Sequence, residues 1–137
     1  MYKALADLNK SIQLNATDAD AYCSRGIVYY NLSQMDKALA DFNQSIKLDP
    51  DFAHAYYYRG KTYYNLRKID QAITDLNQSI HLRPDYAYAY YYRGRIYQTR
   101  GEKEQAIIDF QKCLSLNPDA DIRQEVEGYL QQLGVTP

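Results

Sequence analysis

Apolar and polar residues follow the period of an amphipathic α-helix along most of the chain, with breaks at short intervals. Tyr56, Gly60 and Tyr63 are spaced by four and three positions, which places them on one face of a helix. After a short break, the segment 69–82 (IDQAITDLNQSIHL) has a second apolar face with the same period. Pro84 follows, and proline both ends a helix and disfavours helical backbone at the preceding residue. The pattern therefore predicts a pair of helices joined by a short turn.

The helix pair recurs with a fixed period. The dipeptide Arg-Gly begins at Arg25, Arg59 and Arg93, so the interval between successive occurrences is constant and the period is 34. Self-similarity at such a period is typical of repeat architectures. The period divides the chain into a head, three complete repeats and a tail. These segments are residues 1–18, 19–52, 53–86, 87–120 and 121–137.

Proline, aspartate and glycine residues mark the ends of the predicted helices. Each complete repeat ends in or near a Pro-Asp pair, and we expect the aspartate to cap the helix that follows, because a carboxylate accepts hydrogen bonds from the free N–H groups of a first helical turn. Gly101 lies in the inner turn of the third repeat, where a left-handed residue is favoured. The expected capping residues are Asp51, Asp85 and Asp119.

The head matches the second helix of a repeat whose first helix is missing. Within residues 1–18, Ala4 and Leu8 fall at the positions of Ala38 and Phe42 in the first complete repeat. Such a helix exposes an apolar face, which predicts self-association at this end. The head fits either an array cut from a longer chain or a native protein that begins with a bare helix.

The tail, residues 121–137, predicts a C-terminal capping helix. Val126 and Tyr129 belong to one apolar stripe, while polar residues such as Glu125 lie on the opposite face, and Pro137 stands at its end. A terminal cap needs one apolar face and one face for solvent, which this pattern provides.

The repeat resembles the tetratricopeptide repeat, a helix–turn–helix unit of about 34 residues with aromatic, glycine, alanine and proline residues at fixed positions. The resemblance implies an all-α solenoid, a right-handed superhelix of antiparallel helix pairs, which buries its apolar surface by stacking neighbouring repeats. The signature recurs in phase three times, at Tyr22, Gly26, Tyr29, Ala38, Phe42 and Pro50; at Tyr56, Gly60, Tyr63, Ala72, Leu76 and Pro84; and at Tyr90, Gly94, Tyr97, Ala106, Phe110 and Pro118.

One departure from the family pattern occurs in every complete repeat. The consensus leucine before the glycine is replaced by arginine, and an aspartate follows sixteen positions later on the second helix. We expect an ion pair across each helical hairpin, in partly buried surroundings; the alternative is that each charge is solvated separately. The expected pairs are Arg25 with Asp41, Arg59 with Asp75, and Arg93 with Asp109.

Composition and charge argue against several classes of binding site and show one unusual residue type. The chain has 137 residues and a net charge of −1, so no strong field attracts nucleic acid or an anionic membrane. The two cysteines lie 90 positions apart, which suits neither a disulfide scaffold nor a zinc site, and we expect no metal or cofactor. Tyrosine is the unusual component, with 16 tyrosines against three phenylalanines and no tryptophan.

By resemblance, an array of this kind binds a partner segment in a concave groove lined by the first helix of each repeat. Tyrosine concentrates at these positions, and it offers a large contact area at little entropic cost. The wall is slightly positive, which favours a peptide with aromatic or apolar anchors and one or two carboxylates. In the alternative, the tyrosines pack on one another without a ligand. The predicted groove residues are Tyr30, Asn31, Tyr57, Tyr58, Lys61, Tyr64, Asn65, Tyr88, Tyr91, Tyr92, Arg95 and Gln98.

More specific functions are disfavoured. The family's carboxylate clamp, which holds chaperone C-termini, uses lysine, asparagine and arginine at five positions. This chain has none of the clamp residues at the matching positions. The histidines suggest no nucleophile–base pair. RNA binding of the pentatricopeptide kind is disfavoured because the period is 34 rather than 35 and no basic stripe joins the tyrosines. The clamp positions hold Cys23, Ile27, Tyr58, Tyr88 and Tyr92.

The sequence as a whole predicts a non-catalytic protein–protein interaction scaffold that binds a peptide segment in a tyrosine-rich groove. The alternatives are a structural or self-association module of a larger protein, or a regulatory arm of an enzyme whose catalytic domain lies outside this chain. By resemblance, Arg-Gly arrays are frequent in bacteria, which favours a bacterial, cytoplasmic protein.

Overall fold

The computed structural model describes residues 1–136, and these form α-helices joined by short turns. Pro137, which the sequence pattern places at the end of the capping helix, lies outside the described residues. The helices are α1 (Tyr2–Leu14), α2 (Ala19–Asn31), α3 (Met35–Leu48), α4 (Ala53–Asn65), α5 (Ile69–Leu82), α6 (Ala87–Thr99), α7 (Lys103–Ser115) and α8 (Ala120–Gln132).

The chain divides into two compact units, Met1–Leu82 and Arg83–Pro137. In the N-terminal unit, α1 packs on the hairpin of α2 and α3, and this hairpin packs on the hairpin of α4 and α5. In the C-terminal unit, α6 and α7 form a hairpin, and α8 packs on α7. Each predicted repeat thus contains one helix pair, in which we call the first member helix A and the second helix B.

Helices A and B approach closely because glycine leaves room for a large side chain. A Cβ atom built on Gly26 would lie 2.6 Å from Cε1 of Phe42, and one on Gly94 would lie 2.7 Å from Cε1 of Phe110. Both phenylalanines are fully buried. Packing at this distance therefore requires glycine on helix A, which explains its recurrence with the repeat period.

A left-handed residue closes each turn between helix A and helix B. Ser33, Arg67 and Gly101 have φ angles of 61°, 63° and 74°. They occupy the same position in successive repeats. Glycine adopts this conformation without a steric penalty, whereas serine and arginine do not. The sequence pattern indicates the conformation only at Gly101.

The predicted capping by aspartate is correct at one of the three boundaries. The side chain of Asp119 accepts a hydrogen bond from the N–H group of Ile122, at 3.0 Å. At the other two boundaries the cap residues are Phe52 and Tyr86, which make no side-chain cap bond, so the predicted caps at Asp51 and Asp85 are wrong. An aromatic residue follows each of these aspartates and occupies the cap position, and Phe52 packs against the core there.

Candidate interaction surface

Each arginine of the Arg-Gly dipeptides lies against the aspartate sixteen positions later. In the first repeat, Nε and Nη2 of Arg25 donate to the two carboxylate oxygens of Asp41, at 2.8 and 2.7 Å. Arg59 with Asp75, and Arg93 with Asp109, form the same bidentate arrangement. The aspartates are buried, at 2–4% exposure, while the arginines are partly exposed. This geometry satisfies charges that would otherwise be costly to bury.

The electrostatics of these pairs fit a structural role. The hydrogen bond to Asp75 raises the pKa of the Arg59 guanidinium, which keeps it charged. Burial raises the pKa of the Asp75 carboxyl, and the hydrogen bond from Arg59 opposes that rise. The pair is a fixed support of the hairpin, because both of its charges are already satisfied by each other.

The same arginines also join neighbouring repeats of the N-terminal unit. Nη1 of Arg25 donates to Oδ1 of Asn9 at 3.0 Å, and Nη1 of Arg59 donates to Oδ1 of Asn43 at 2.9 Å. Neither asparagine belongs to the residues that the repeat signature predicts. The signal was present, because Asn9 and Asn43 are separated by the repeat period.

On the N-terminal unit, tyrosine rings surround one cation. Nζ of Lys61 lies 5.0 Å from the centroid of the Tyr30 ring and 5.7 Å from that of Tyr58. Burial lowers the pKa of the Lys61 ammonium. Asn65 donates through Nδ2 to the hydroxyl oxygen of Tyr30. We call this surface the tyrosine wall; it consists of Tyr30, Tyr58, Lys61, Tyr64 and Asn65.

The tyrosine wall omits two predicted groove residues of the N-terminal unit, Tyr57 and Asn31. Tyr57 is only 3% exposed, and its ring packs edge to face against Tyr58, with centroids 5.0 Å apart. His54 also packs edge to face against Tyr58, with centroids 4.9 Å apart. Tyr57 is therefore buried support for the wall rather than an open contact, while Asn31 is exposed on α2.

On the C-terminal unit, α8 covers part of the predicted groove. Tyr91 is 6% exposed and donates its hydroxyl hydrogen to Oε2 of Glu125. The guanidinium of Arg95 lies 4.7 Å from the ring centroid of Tyr129. Tyr91 is therefore buried rather than open, and Glu125, expected on the solvent face, faces the tyrosines as well.

A second contact joins the first turn of α6 to the N-cap residue of α8. Tyr88 donates its hydroxyl hydrogen to Oδ2 of Asp119, at 2.7 Å. The backbone bond from Ile122 is the larger cause that lowers the pKa of the Asp119 carboxyl, and the bond from Tyr88 adds to it. The predicted groove residues Tyr92 and Gln98 are half-buried on the same helix.

The contact between Tyr91 and Glu125 had a signal in the sequence. Glu125 follows Tyr91 by one repeat period, so α8 takes the place that the first helix of a further repeat would have. The amphipathic pattern of the tail alone does not reveal this relationship.

Four family models match the chain. Models described as "Tetratricopeptide repeat" match residues 19–52, 42–74 and 60–131, and one described as "TPR repeat" matches residues 3–33. The match over residues 60–131 alone spans more than half of the chain. The chain belongs to the tetratricopeptide repeat family. The family and the helical fold identify this tetratricopeptide chain as a protein-interaction scaffold.

Solved structures agree with this assignment. The crystal structure of MamA is 28% identical with a TM-score of 0.75, and the match covers 82% of this chain and 66% of MamA. The TPR domain of P58(IPK) is 29% identical with a TM-score of 0.83, over 85% of this chain and 33% of that one. This tetratricopeptide chain thus spans about two thirds and one third of the lengths of these two relatives.

A third structure contains a peptide. The first TPR of Spaghetti (RPAP3), bound to the HSP90 peptide SRMEEVD, is 25% identical with a TM-score of 0.76, and the match covers 85% of this chain and 93% of that one.

No curated protein matches the sequence.

The two cysteine thiols of the tetratricopeptide chain are buried, which keeps them protonated. Burial raises the pKa of the Cys23 thiol to about 12 and that of Cys113 to about 11, and both cysteines are free and buried. Within residues 1–136, no group of three or more His, Cys, Asp or Glu side chains is placed to hold a metal ion. No helix in that range has the length and apolar character needed to cross a membrane.

Proposed function

We propose that this tetratricopeptide chain is a non-catalytic scaffold that binds a peptide segment of a partner protein along its tyrosine wall. The observation that carries the proposal is the placement of Lys61, whose ammonium lies close to the rings of Tyr30 and Tyr58. A cation held against aromatic rings offers one charged contact within a large apolar area. This combination suits a carboxylate that is flanked by apolar or aromatic side chains.

The amide of Asn65 and that of Asn31 extend the surface with polar groups. Both asparagines are exposed, and an amide both donates and accepts hydrogen bonds. An extended peptide backbone presents alternating N–H and C=O groups that such side chains can bond. The wall therefore combines anchors for side chains with contacts for a backbone, which supports a peptide rather than a small molecule as ligand.

The C-terminal unit supports the same ligand chemistry. There the hydroxyl of Tyr91 bonds the carboxylate of Glu125, and the guanidinium of Arg95 lies over the ring of Tyr129. Glu125 and Tyr129 are four positions apart on α8, so a tyrosine and a cation accept a carboxylate and an aromatic ring from one helical face. We infer that the partner segment also carries an acidic and an aromatic residue.

The proposal is tested by panning a peptide library against the chain and measuring the affinity of enriched peptides for matched variants. Lys61→Gln removes the cation of the tyrosine wall, and Lys47→Gln removes an exposed lysine on α3 as a control. We expect enriched peptides to be acidic and aromatic and to bind Lys61→Gln at least tenfold more weakly, with no change for Lys47→Gln. An absence of enriched peptides, or equal affinity for both variants, would favour the structural or self-association role.

A further inference from the structure

A small polar pocket lies between α4 and α5, away from the tyrosine wall. Its volume is about 310 Å³. Arg59 lines it, and Lys61 of the tyrosine wall follows two positions later, which places the two side chains on roughly opposite sides of α4. We call it the α4–α5 pocket; its lining residues are Arg59, Tyr63, Asp70, Gln71, Thr74 and Asp75.

The charged residues of the α4–α5 pocket favour a cation. Arg59 and Asp75 form a bidentate pair, so their charges compensate each other. The remaining charged residue, Asp70, is exposed in the first turn of α5. Its carboxylate gives the pocket a net negative charge, and the ring of Tyr63 adds an aromatic face, which is also negative.

The first repeat shows which cation fits this arrangement. One repeat period before Tyr63 and Gln71, the chain has Tyr29 and Lys37. Nζ of Lys37 lies over the ring of Tyr29, 5.5 Å from its centroid. An ammonium group at this distance is attracted by the negative face of the ring. In the first repeat, the chain therefore supplies an ammonium from its own helix B.

The second repeat keeps the ring and the carboxylate but not the lysine. Tyr63 and Asp70 correspond to Tyr29 and Asp36, whereas Gln71 stands where the first repeat has its lysine. Glutamine ends in a neutral amide, so it brings no charge to the ring. The α4–α5 pocket therefore presents an aromatic ring and a carboxylate to a cation from outside the chain.

We propose that the α4–α5 pocket binds the ammonium group of a lysine side chain from a partner protein. The ammonium lies over the ring of Tyr63, as that of Lys37 lies over Tyr29, and it pairs with the carboxylate of Asp70. This site is distinct from the tyrosine wall and does not depend on the function proposed for the wall.

The acceptors around the pocket suit an ammonium group, which is a compact charge with three donors. The carboxylate of Asp70 and the amide oxygen of Gln71 provide two acceptors. The hydroxyl of Thr74 donates to the carbonyl oxygen of Asp70 at 2.9 Å, so its own oxygen is available as a third acceptor. Lysine therefore matches the pocket in charge and in hydrogen bonding.

The test is an NMR titration of the isotope-labelled chain with Nα-acetyl-lysine methylamide. The probe is added to millimolar concentrations, because a cation–π contact and an ion pair at an exposed site are each weak. We expect saturable shifts of the backbone amide signals of Tyr63, Asp70, Gln71 and Thr74. The same probe with an acetylated Nζ has no positive charge and should leave these signals unchanged.

Variants of exposed residues test the assignment, with the fold checked by circular dichroism. Gln71→Lys places an internal ammonium in the pocket and Asp70→Asn removes its carboxylate, and we expect each to weaken binding by about fivefold or more. Asp51→Asn removes an exposed carboxylate outside the pocket and should have no effect. Lys37→Gln should open the equivalent site of the first repeat and add saturable shifts at Tyr29.

Four results would overturn the proposal. They are an absence of saturable shifts, an equal response to the acetylated probe, unchanged binding in both Gln71→Lys and Asp70→Asn, and much tighter binding of spermidine, which would indicate a free polyamine instead of a lysine side chain. Lys61→Gln must leave the shifts unchanged, because this lysine belongs to the tyrosine wall. Failure of the wall to bind a peptide would leave the result of this titration unaffected.

Discussion

Arg59 and Asp75 are joined by two parallel hydrogen bonds, from Nε to Oδ2 at 2.8 Å and from Nη2 to Oδ1 at 2.7 Å. The side chain of Asp75 is 4% exposed, so its charge depends on this one partner for compensation. The third hydrogen bond of the guanidinium goes to Asn43 in the preceding repeat. One side chain thus holds a hairpin together and attaches it to its neighbour.

Removal of this arginine should be costly. We expect Arg59→Leu to lower the free energy of unfolding by about 3–5 kcal/mol, because it leaves the buried carboxylate of Asp75 without a counter-ion. Urea denaturation followed by circular dichroism measures the change. The control is the double variant Arg59→Leu, Asp75→Leu, which removes both charges and should recover much of the loss. A single variant as stable as the wild type would contradict a buried pair.

Two helical glycines should respond in opposite directions to the same change. Gly94→Ala brings a Cβ atom to 2.7 Å from Phe110, and we expect a loss of about 1–3 kcal/mol from overpacking. A Cβ atom added at Gly128 would meet no atom within 4 Å, so Gly128→Ala should gain up to about 1 kcal/mol from helix propensity. Thermal unfolding of both variants gives the comparison, and a loss at Gly128 would show that α8 is covered on that side.

The turn of the second repeat should gain stability from glycine. Arg67 has a φ angle of 63°, in the region that favours glycine, so we expect Arg67→Gly to stabilise the chain by about 0.5–1 kcal/mol. Gly101→Ala is the reciprocal change and should destabilise it, since no atom lies near its Cβ position and only the φ angle of 74° opposes alanine. Chemical denaturation of both variants measures the two effects. Stability that falls in Arg67→Gly would mean that the arginine side chain contributes more than its backbone conformation costs.

The cysteines should be protected from thiol reagents in the folded chain. Burial raises the pKa of Cys23 from 9.0 to about 12, so the native state keeps the thiol proton that the unfolded state loses. The contribution of the Cys23 thiol to the free energy of unfolding is therefore fully present below pH 9.0, and it falls as the pH rises toward 12. Ellman's reagent at about pH 8 should therefore react slowly until guanidinium unfolds the chain. Immediate reaction in native buffer would show that one of the thiols is accessible.

The fold could be predicted from the sequence because the same pattern occurs three times in phase. The arginine–aspartate partners could be predicted for the same reason, since a contact inside every repeat leaves a mark at a constant spacing. The turns at Ser33 and Arg67 could not, because neither residue type indicates a left-handed backbone and only Gly101 does.

The candidate site was predicted less completely. Residue types indicated the tyrosines and Lys61, but the sequence did not separate Tyr57, which is buried, from Tyr58, which is half-buried, because both are tyrosines on one helix. The bond from Tyr91 to Glu125 was missed because the helical pattern of α8 assigns Glu125 to solvent. A glutamate on the edge of an apolar stripe lies within reach of a neighbouring helix, and this depends on tertiary packing.

The double attachment of each arginine in the N-terminal unit affects how unfolding spreads. In an array of repeats, stability is approximately a sum of the intrinsic energies of the repeats and the coupling energies between neighbours. The contact of Arg25 with Asp41 contributes to the intrinsic energy of one repeat, and its contact with Asn9 contributes to the coupling energy with the preceding one. Both contacts come from one guanidinium. Fraying of a hairpin that releases its arginine therefore also loosens the preceding repeat. Such a chain tends to unfold in fewer, larger steps than one in which separate residues supply the two energies.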